Sequence, residues 1–308
     1  MNIAVTGANG FLGRYLVQNL ASAGHHLRCW HRPTSDRTNF PFAGAIEWSP
    51  GSLGDAAATA ALVRDVDAVV HSALQWEGRD GFRSGGQDDL LGFLEANLLG
   101  SLQLFQAAYA AGVPRFVFIS TCAVHEVILD DHPLDEAHPL WPTHHYGAHK
   151  AALEKFVHSF GLGQGWPICA LRPSGIYGLA HPPAASRWFD LVGQVLVGMP
   201  IHSAKGGKEV HAADVAKAVA LLLAADSTAV AGQVLNCYDW YVAEQDVARI
   251  AKELTKSSSP IADLNRGPKH QIVTRKLRDL GMTFGGEALL RQTITELVRA
   301  HAPIGAGI

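Results

Sequence analysis

Tyr146 and Lys150 are the residues of this chain whose types and spacing best suit proton chemistry, since a separation of four puts phenol and ammonium on one helical face. A free tyrosine keeps its proton to about pH 10, and a neighbouring cation and hydroxyl favour the phenolate and bring it toward working pH. Ser120 and Thr121, at the end of an apolar run over 115–119, are the hydroxyls available for that task. A second constellation sits near the N-terminus. Gly7, Gly10 and Gly13 follow the run Ile3, Ala4, Val5 and open a helical pattern in Phe11, Leu12, Leu16, Val17 and Leu20. Glycines where a strand turns into a helix let a phosphate approach the backbone, and the helix start offers unpaired N–H groups to an anion. Gly7, Asn9, Gly10, Phe11, Leu12 and Gly13 are therefore expected to hold the pyrophosphate of a dinucleotide.

These groups need a scaffold, and the chain between them supplies one. Residues 26–30 read as a second strand that delivers His31 and Arg32 to its carboxyl edge, where a carboxylate would favour NAD and an arginine the extra phosphate of NADP. Arg32 makes NADP(H) the preferred cofactor, and Asp36 a little further on leaves NAD(H) possible. Ile46 and Trp48 mark a third strand, 55–63 a helix, and 67–71 a fourth strand ending in Ser72, Ala73 and Leu74. Strands and helices alternating this closely build a parallel sheet covered on both faces, with ligands beyond the carboxyl ends of the strands. The glycine-rich stretch 75–88, carrying Trp76, Arg79, Phe82 and Arg83, reads as a mobile loop at that edge. A helix is expected over about 88–111, and its apolar residues spread around most of the circumference. One side faces the sheet and the other a second subunit. Another long helix runs from Tyr146 through Phe160.

With 308 residues, a net charge of −3 and 48% hydrophobic residues, the chain has ample core for one large domain with a smaller appendage. Basic runs long enough for nucleic acid are absent, as are apolar stretches long enough for a membrane span or a signal peptide. A cytoplasmic protein is expected. Cys29, Cys122, Cys169 and Cys237 are widely spaced and read as buried free thiols. His144, His145 and His149 lack the companions of a metal site, so no metal is expected.

At this level the chain resembles an extended short-chain dehydrogenase/reductase of the NAD-dependent epimerase/dehydratase type. The likeness rests, in order, on the three glycines, His71 and Ala73, Asn97, Ser120-Thr121, Tyr146 with Lys150, and residues 171–178, Leu-Arg-Pro-Ser-Gly-Ile-Tyr-Gly. Weaker likeness continues through 210–216 and 232–236. The resemblance implies an α/β protein with a Rossmann-type doubly wound sheet over 1–178. A smaller substrate-binding region over 179–308 would follow, with about 210–240 returning to the first core. It also implies Tyr146 as acid/base, Lys150 as ribose ligand, Thr121 holding the reacting oxygen, and Pro173 and Ser174 beside the nicotinamide. Asn97 helps to organise the site. The helices over 88–111 and after Tyr146 resemble a pair through which family members form homodimers.

The chain departs from the pattern in three places. Ser52-Leu53 stand where an acid often supports adenine, His125 stands in place of an aromatic, and the arginine that nucleotide-sugar enzymes often carry before His211 is replaced by 205–210, Lys-Gly-Gly-Lys-Glu-Val. The function expected is thus NAD(P)-dependent hydride transfer at a hydroxyl or carbonyl carbon of a sugar-like or other small polar substrate, the alternative being a non-catalytic NADP-binding redox sensor. Arg187 and Lys208 are the expected substrate contacts, with 204–207 as a short flexible lid.

Overall fold

The structure is a computed structural model that describes residues 1–76, 81–264 and 267–301. Among these, ten strands follow in chain order: β1 (Asn2–Thr6), β2 (His26–His31), β3 (Ile46–Pro50), β4 (Ala68–His71), β5 (Phe116–Ile119), β6 (Ile168–Pro173), β7 (Gly175–Tyr177), β8 (Gly206–His211), β9 (Val234–Cys237) and β10 (Trp240–Ala243). The α-helices are α1 (Phe11–Ser22), α2 (Ala56–Leu62), α3 (Leu90–Leu94), α4 (Gly100–Ala110), α5 (His145–Gln164), α6 (Phe189–Leu196), α7 (Ala212–Ala224), α8 (Ser227–Val230), α9 (Glu244–Thr255), α10 (Arg275–Asp279) and α11 (Gly286–His301).

The chain divides into two compact units. The first comprises Met1–Pro173, Val215–Cys237 and Ile272–Met282, and the second Ser174–Asp214, Tyr238–Gln271 and the described residues from Thr283 onward. In the first, seven strands form one sheet in the order β3-β2-β1-β4-β5-β6-β9, every neighbouring pair parallel. The order reverses between β1 and β4, and ligands of such sheets bind beyond the carboxyl ends of the strands at that point. Every residue of β4 and β5 is buried, as strands covered on both faces require. Phe105, Phe116, Phe118, Leu153 and Trp166 fill the core of this unit.

In the second unit β8 lies between β10, antiparallel to it, and β7, parallel to it. Its own core gathers Tyr177, Trp188, Val192, Val242, Ile250, Leu290 and Leu297. The first segment of the first unit runs to Pro173, and β7, just beyond it, pairs with β8 instead of extending the large sheet. The expected flexible lid over 204–207 is corrected. Gly206 and Gly207 begin β8, in register with Ala243 and Val242, a strand partner that is remote in sequence and invisible to local composition. The single helix expected over 88–111 is α3 and α4 joined by a π turn, Glu95–Leu99. No helix among the described residues is long and apolar enough to cross a membrane.

Candidate active site

The glycine turn is built from two close approaches. Gly7 has φ +74°, and a Cβ there would lie 2.8 Å from the backbone N of Ala73 and from Ser72 Oγ. At Gly13 a Cβ would lie 2.0 Å from the Gly7 carbonyl oxygen, so the first turn of α1 can sit on β1 only with hydrogen in that place. Gly10 N donates to Gly7 O at 3.0 Å, and Gly10 caps α1 with neither a side-chain cap nor an acidic residue in the first turn. The helix start therefore leaves its N–H groups to an anion, and Asn9, Phe11 and Leu12 stand half-buried around it. Ser72 Oγ donates to Thr6 O at 2.7 Å and Ala73 N to Thr6 Oγ1 at 3.2 Å, which straps the end of β4 to β1, with Leu74 following half-buried. Behind the strap, Thr6 Oγ1 meets His71 Nδ1 at 2.7 Å and His71 Nε2 meets Ser101 Oγ at 2.9 Å. Burial, with the charge of Lys150, pushes His71 down to about 3, so this histidine is a neutral structural link.

The loop after β2 is tied to the same turn. Asn9 Nδ2 donates to Asp36 O at 2.7 Å, and Arg14 pairs with Asp36 at 3.2 Å while its guanidinium lies 4.3 Å over the Phe40 ring. Asp36 Oδ1 also accepts from Thr38 N and Thr38 Oγ1 at 2.8 and 2.7 Å. Both oxygens of its carboxylate thus have partners within the protein. Arg32 is exposed. Ser52 and Leu53, after β3, are half-buried, and Leu53 packs against Gly100 at the start of α4.

At the end of β5, Thr121 accepts from Ala123 N at 3.1 Å, and its side chain lies close enough to the Tyr146 phenol to favour the phenolate. Lys150 is buried, donating to Ile119 O at 2.8 Å and lying 4.6 Å over the Phe118 ring. Burial pushes Lys150 down to about 7, opposed by the negative charge of Glu154. The Tyr146 phenol moves up rather than down, because burial outweighs the Thr121 side chain and the charge of Arg83. This reverses the expectation that a neighbouring cation and hydroxyl bring it toward working pH. The cap of α5 is His144, whose Nδ1 accepts from Gly147 N at 2.8 Å, leaving Nε2–H to face Glu126 Oε1 at 3.3 Å. Arg83 pairs with the same Glu126 oxygen at 2.9 Å.

Asn97 is buried at the π turn and grips both backbone groups of one residue, accepting from Gln75 N at 2.7 Å and donating to Gln75 O at 2.8 Å. Its third bond, to Phe93 O at 2.9 Å, stays within the helix. The π turn exists where this side chain must reach the chain leaving β4, so Asn97 shapes the sheet edge from a distance. From Gly81 on, Phe82 stacks on Tyr146 with centroids 6.2 Å apart and planes 29° apart. Arg79 lies outside the described residues.

Sequence reasoning assigned no role to the charges beneath this edge. Glu154, one further turn along the face of Tyr146 and Lys150, is buried; its Oε1 accepts from Ser120 Oγ at 2.5 Å and Arg172 Nε at 2.9 Å, and its Oε2 from Arg172 Nη2 at 2.6 Å. Arg172 Nη1 reaches His125 Nε2 at 3.1 Å, and Cys122 Sγ donates to Arg172 O at 3.0 Å. Spacing of four along α5 was a signal for Glu154; nothing local pointed to its partner on β6. Burial pushes the Cys29, Cys122 and Cys169 thiols up to about 12, which leaves them inert.

Pro173 closes β6 opposite Cys237, and Ser174 begins the second unit with its hydroxyl buried and unpartnered. Within that unit Arg187 pairs with buried Glu209 at 2.8 Å and lies 5.2 Å over Trp188. Burial pushes Glu209 up to about 7, and its Oε2 has no hydrogen-bond partner. Arg187 also lines a cleft of about 510 Å³ with Lys205 and His202, whereas Lys208 sits half-buried on β8 opposite Tyr241.

A glycine cradle that any Cβ would fill, an uncapped helix start and a Thr-Tyr-Lys set on one sheet edge fit a dinucleotide. A model of the NAD dependent epimerase/dehydratase family matches residues 3–237. The chain belongs to this family. Within it, the chain is similar to the UDP-glucose 4-epimerase of Rhizobium meliloti (strain 1021), 28% identical over 191 residues that make up 61% of this chain and 56% of that protein. It is also similar to a 3 beta-hydroxysteroid dehydrogenase/Delta 5-->4-isomerase of Mycobacterium tuberculosis (strain CDC 1551 / Oshkosh), 31% identical over 195 residues, 62% of this chain and 51% of that one. The match thus spans about half the length of these curated relatives. Among solved structures, the fold is shared with UDP-glucose 4-epimerase from Thermus thermophilus in complex with NAD, at TM-score 0.76 and 23% identity, covering 100% of both chains. The UDP-glucose 4-epimerase of Thermotoga maritima with UDP-glucose gives 0.79 at 21% identity, covering 97% and 99%.

Proposed function

We propose that this family member is an oxidoreductase or epimerase that prefers NADP(H) and acts at a hydroxyl or carbonyl carbon of a small substrate. The observation that carries this reading is Tyr146 beside Thr121, with buried Lys150 one turn on, at the sheet edge that also holds the glycine cradle. The nicotinamide, when bound, supplies the place to which a hydride goes or from which it comes. Tyr146 as phenolate takes the proton of the substrate hydroxyl as the carbonyl forms, and as phenol it returns the proton in the reverse direction, while Thr121 holds the reacting oxygen and Lys150 the ribose. Pro173 and Ser174 border the ring. A substrate that is not a nucleotide sugar is favoured, because Gly207 and Lys208 stand before His211 and the neighbouring Arg187 is already bound to Glu209.

The NADP preference rests on Arg32, exposed just past β2, and on Asp36 being held by Arg14 and Thr38. Exposed apolar side chains on α3, on the π turn and on α5, with Leu91 at 78%, Leu99 at 52% and Phe156 at 41%, support a homodimer through these helices. Titration of the protein with NADP+ and NAD+ tests the cofactor assignment: NADP+ should bind about tenfold tighter, and Arg32→Glu should reverse the order. Equal affinities that Arg32→Glu leaves unchanged would remove the preference, and binding of neither cofactor would remove the function.

A further inference from the structure

Beside the Tyr146 ring lies a run of aromatic faces that the proton chemistry does not use. Phe82 stacks on Tyr146, and Trp76 meets Phe82 edge-on with centroids 5.5 Å apart and planes 67° apart. On the same tyrosine His144 stacks at 5.9 Å and 24°. Phe82 is 57% exposed, so a large apolar ring is presented to water next to the catalytic phenol. Such exposure has a cost that scales with apolar area, and it is recovered only when something apolar covers the ring.

The ring is also held in place. Trp76 Nε1 donates to Ser84 Oγ at 3.3 Å, and Ser84 Oγ donates to Gly81 O at 2.8 Å. Asn97 clamps the backbone of Gln75 immediately before Trp76. Arg83 pairs with Glu126, and Gly85 and Gly86 pack so closely on Phe93 that a Cβ would approach its ring to 2.7 and 3.1 Å. A pre-set aromatic surface gains binding energy from stacking without first being ordered. The charges near it, Arg83 and Glu126, are matched to each other, so they do not make the surface a phosphate or carboxylate receptor.

We infer that Trp76 and Phe82 form a platform for the flat, apolar or aromatic ring of a substrate whose alcohol or ketone carbon lies beside that ring, next to Tyr146. This rests on the redox reading above and names the class of its substrate. In the oxidative direction the carbinol C–H leaves as hydride to NADP+ or NAD+, the O–H proton passes to Tyr146 in its phenolate form to give the phenol, and an aryl or cycloalkyl ketone remains. The ring itself undergoes no chemistry; its contact with Phe82 sets where the carbinol carbon stands.

The test uses the full chain saturated with the oxidised cofactor it binds, so that a ketone forms a complex that does not react. Calorimetric titration with 2-acetylnaphthalene and with 4-hydroxy-2-butanone should give at least about tenfold tighter binding of the naphthyl ketone. Phe82→Ala should remove that advantage while leaving cofactor affinity unchanged, and Phe82→Trp should retain it. Equal affinity for the two ketones, or an advantage that survives Phe82→Ala, overturns the platform. The redox reading fails separately: with the reduced cofactor, naphthyl ketone reduction that persists in Tyr146→Phe would overturn that reading and leave the platform standing.

Discussion

Each unit of this protein buries a carboxylate against an arginine, and the two pairs are built differently. In the first unit Glu154 and Arg172 are both buried, and both carboxylate oxygens are taken, by Arg172 and by Ser120. In the second, Glu209 is buried while its partner Arg187 is 43% exposed, and one carboxylate oxygen has no donor. A buried ion pair holds firm only when its geometry is good and its remaining lone pairs are satisfied. The first pair meets that condition and frames Ser120, Thr121 and Lys150 like a fixture. The second does not, and its carboxylate sits near neutrality in its titration. Rigid charge thus underlies the reaction machinery, and adjustable charge lies in the other unit.

The largest effect that sharpens this contrast is expected at the cradle. Gly13→Ala places a Cβ 2.0 Å from Gly7 O, and it should weaken dinucleotide binding by about 100-fold and destabilise the first unit by about 1 to 3 kcal/mol. Calorimetry and thermal unfolding read both quantities. Glu154→Gln comes next. Leaving Arg172 uncompensated should cost about 3 to 5 kcal/mol in denaturant unfolding. Glu154 favours the charged form of Lys150, so its neutralisation moves Lys150 further below about 7. The alkaline limb of kcat/KM, where the ammonium is lost, should therefore shift to lower pH; an unchanged profile would detach Glu154 from the site.

The smallest effect belongs to the second unit. Arg187→Ala should raise substrate KM about three- to tenfold with cofactor affinity unchanged. It also removes the cation that lowers Glu209, whose folded value already lies above its ordinary 4.5. Such a group contributes stability below the unfolded value and loses it as pH rises through the folded one. The variant should therefore lose stability relative to wild type as pH rises past about 7. A parallel pair of stability curves would mean that the two ion pairs are alike after all.

The two units also differ in how much of them could be read from the chain. The glycine turn, β1 to β5 and the Tyr146 helix follow from short apolar runs and from spacings of three and four, because these features are local. Glu154 was within reach of the same spacing argument, yet its partner Arg172 comes from β6 and is brought to it only by the sheet. The upward displacement of Tyr146 escaped because burial, which sequence does not report, outweighs the neighbouring hydroxyl and charge. In the second unit the glycines of β8 imitate a flexible loop, and the strand that pairs with them lies well downstream.

The central claim is that Tyr146 moves the proton and contributes little to holding the cofactor, which the glycine cradle and Lys150 do. Measuring turnover and cofactor Kd side by side in Tyr146→Phe tests it most directly. Turnover should fall by about 1,000-fold or more with Kd within about twofold of wild type. Turnover within about tenfold of wild type, on a substrate that the wild type converts, would contradict the claim.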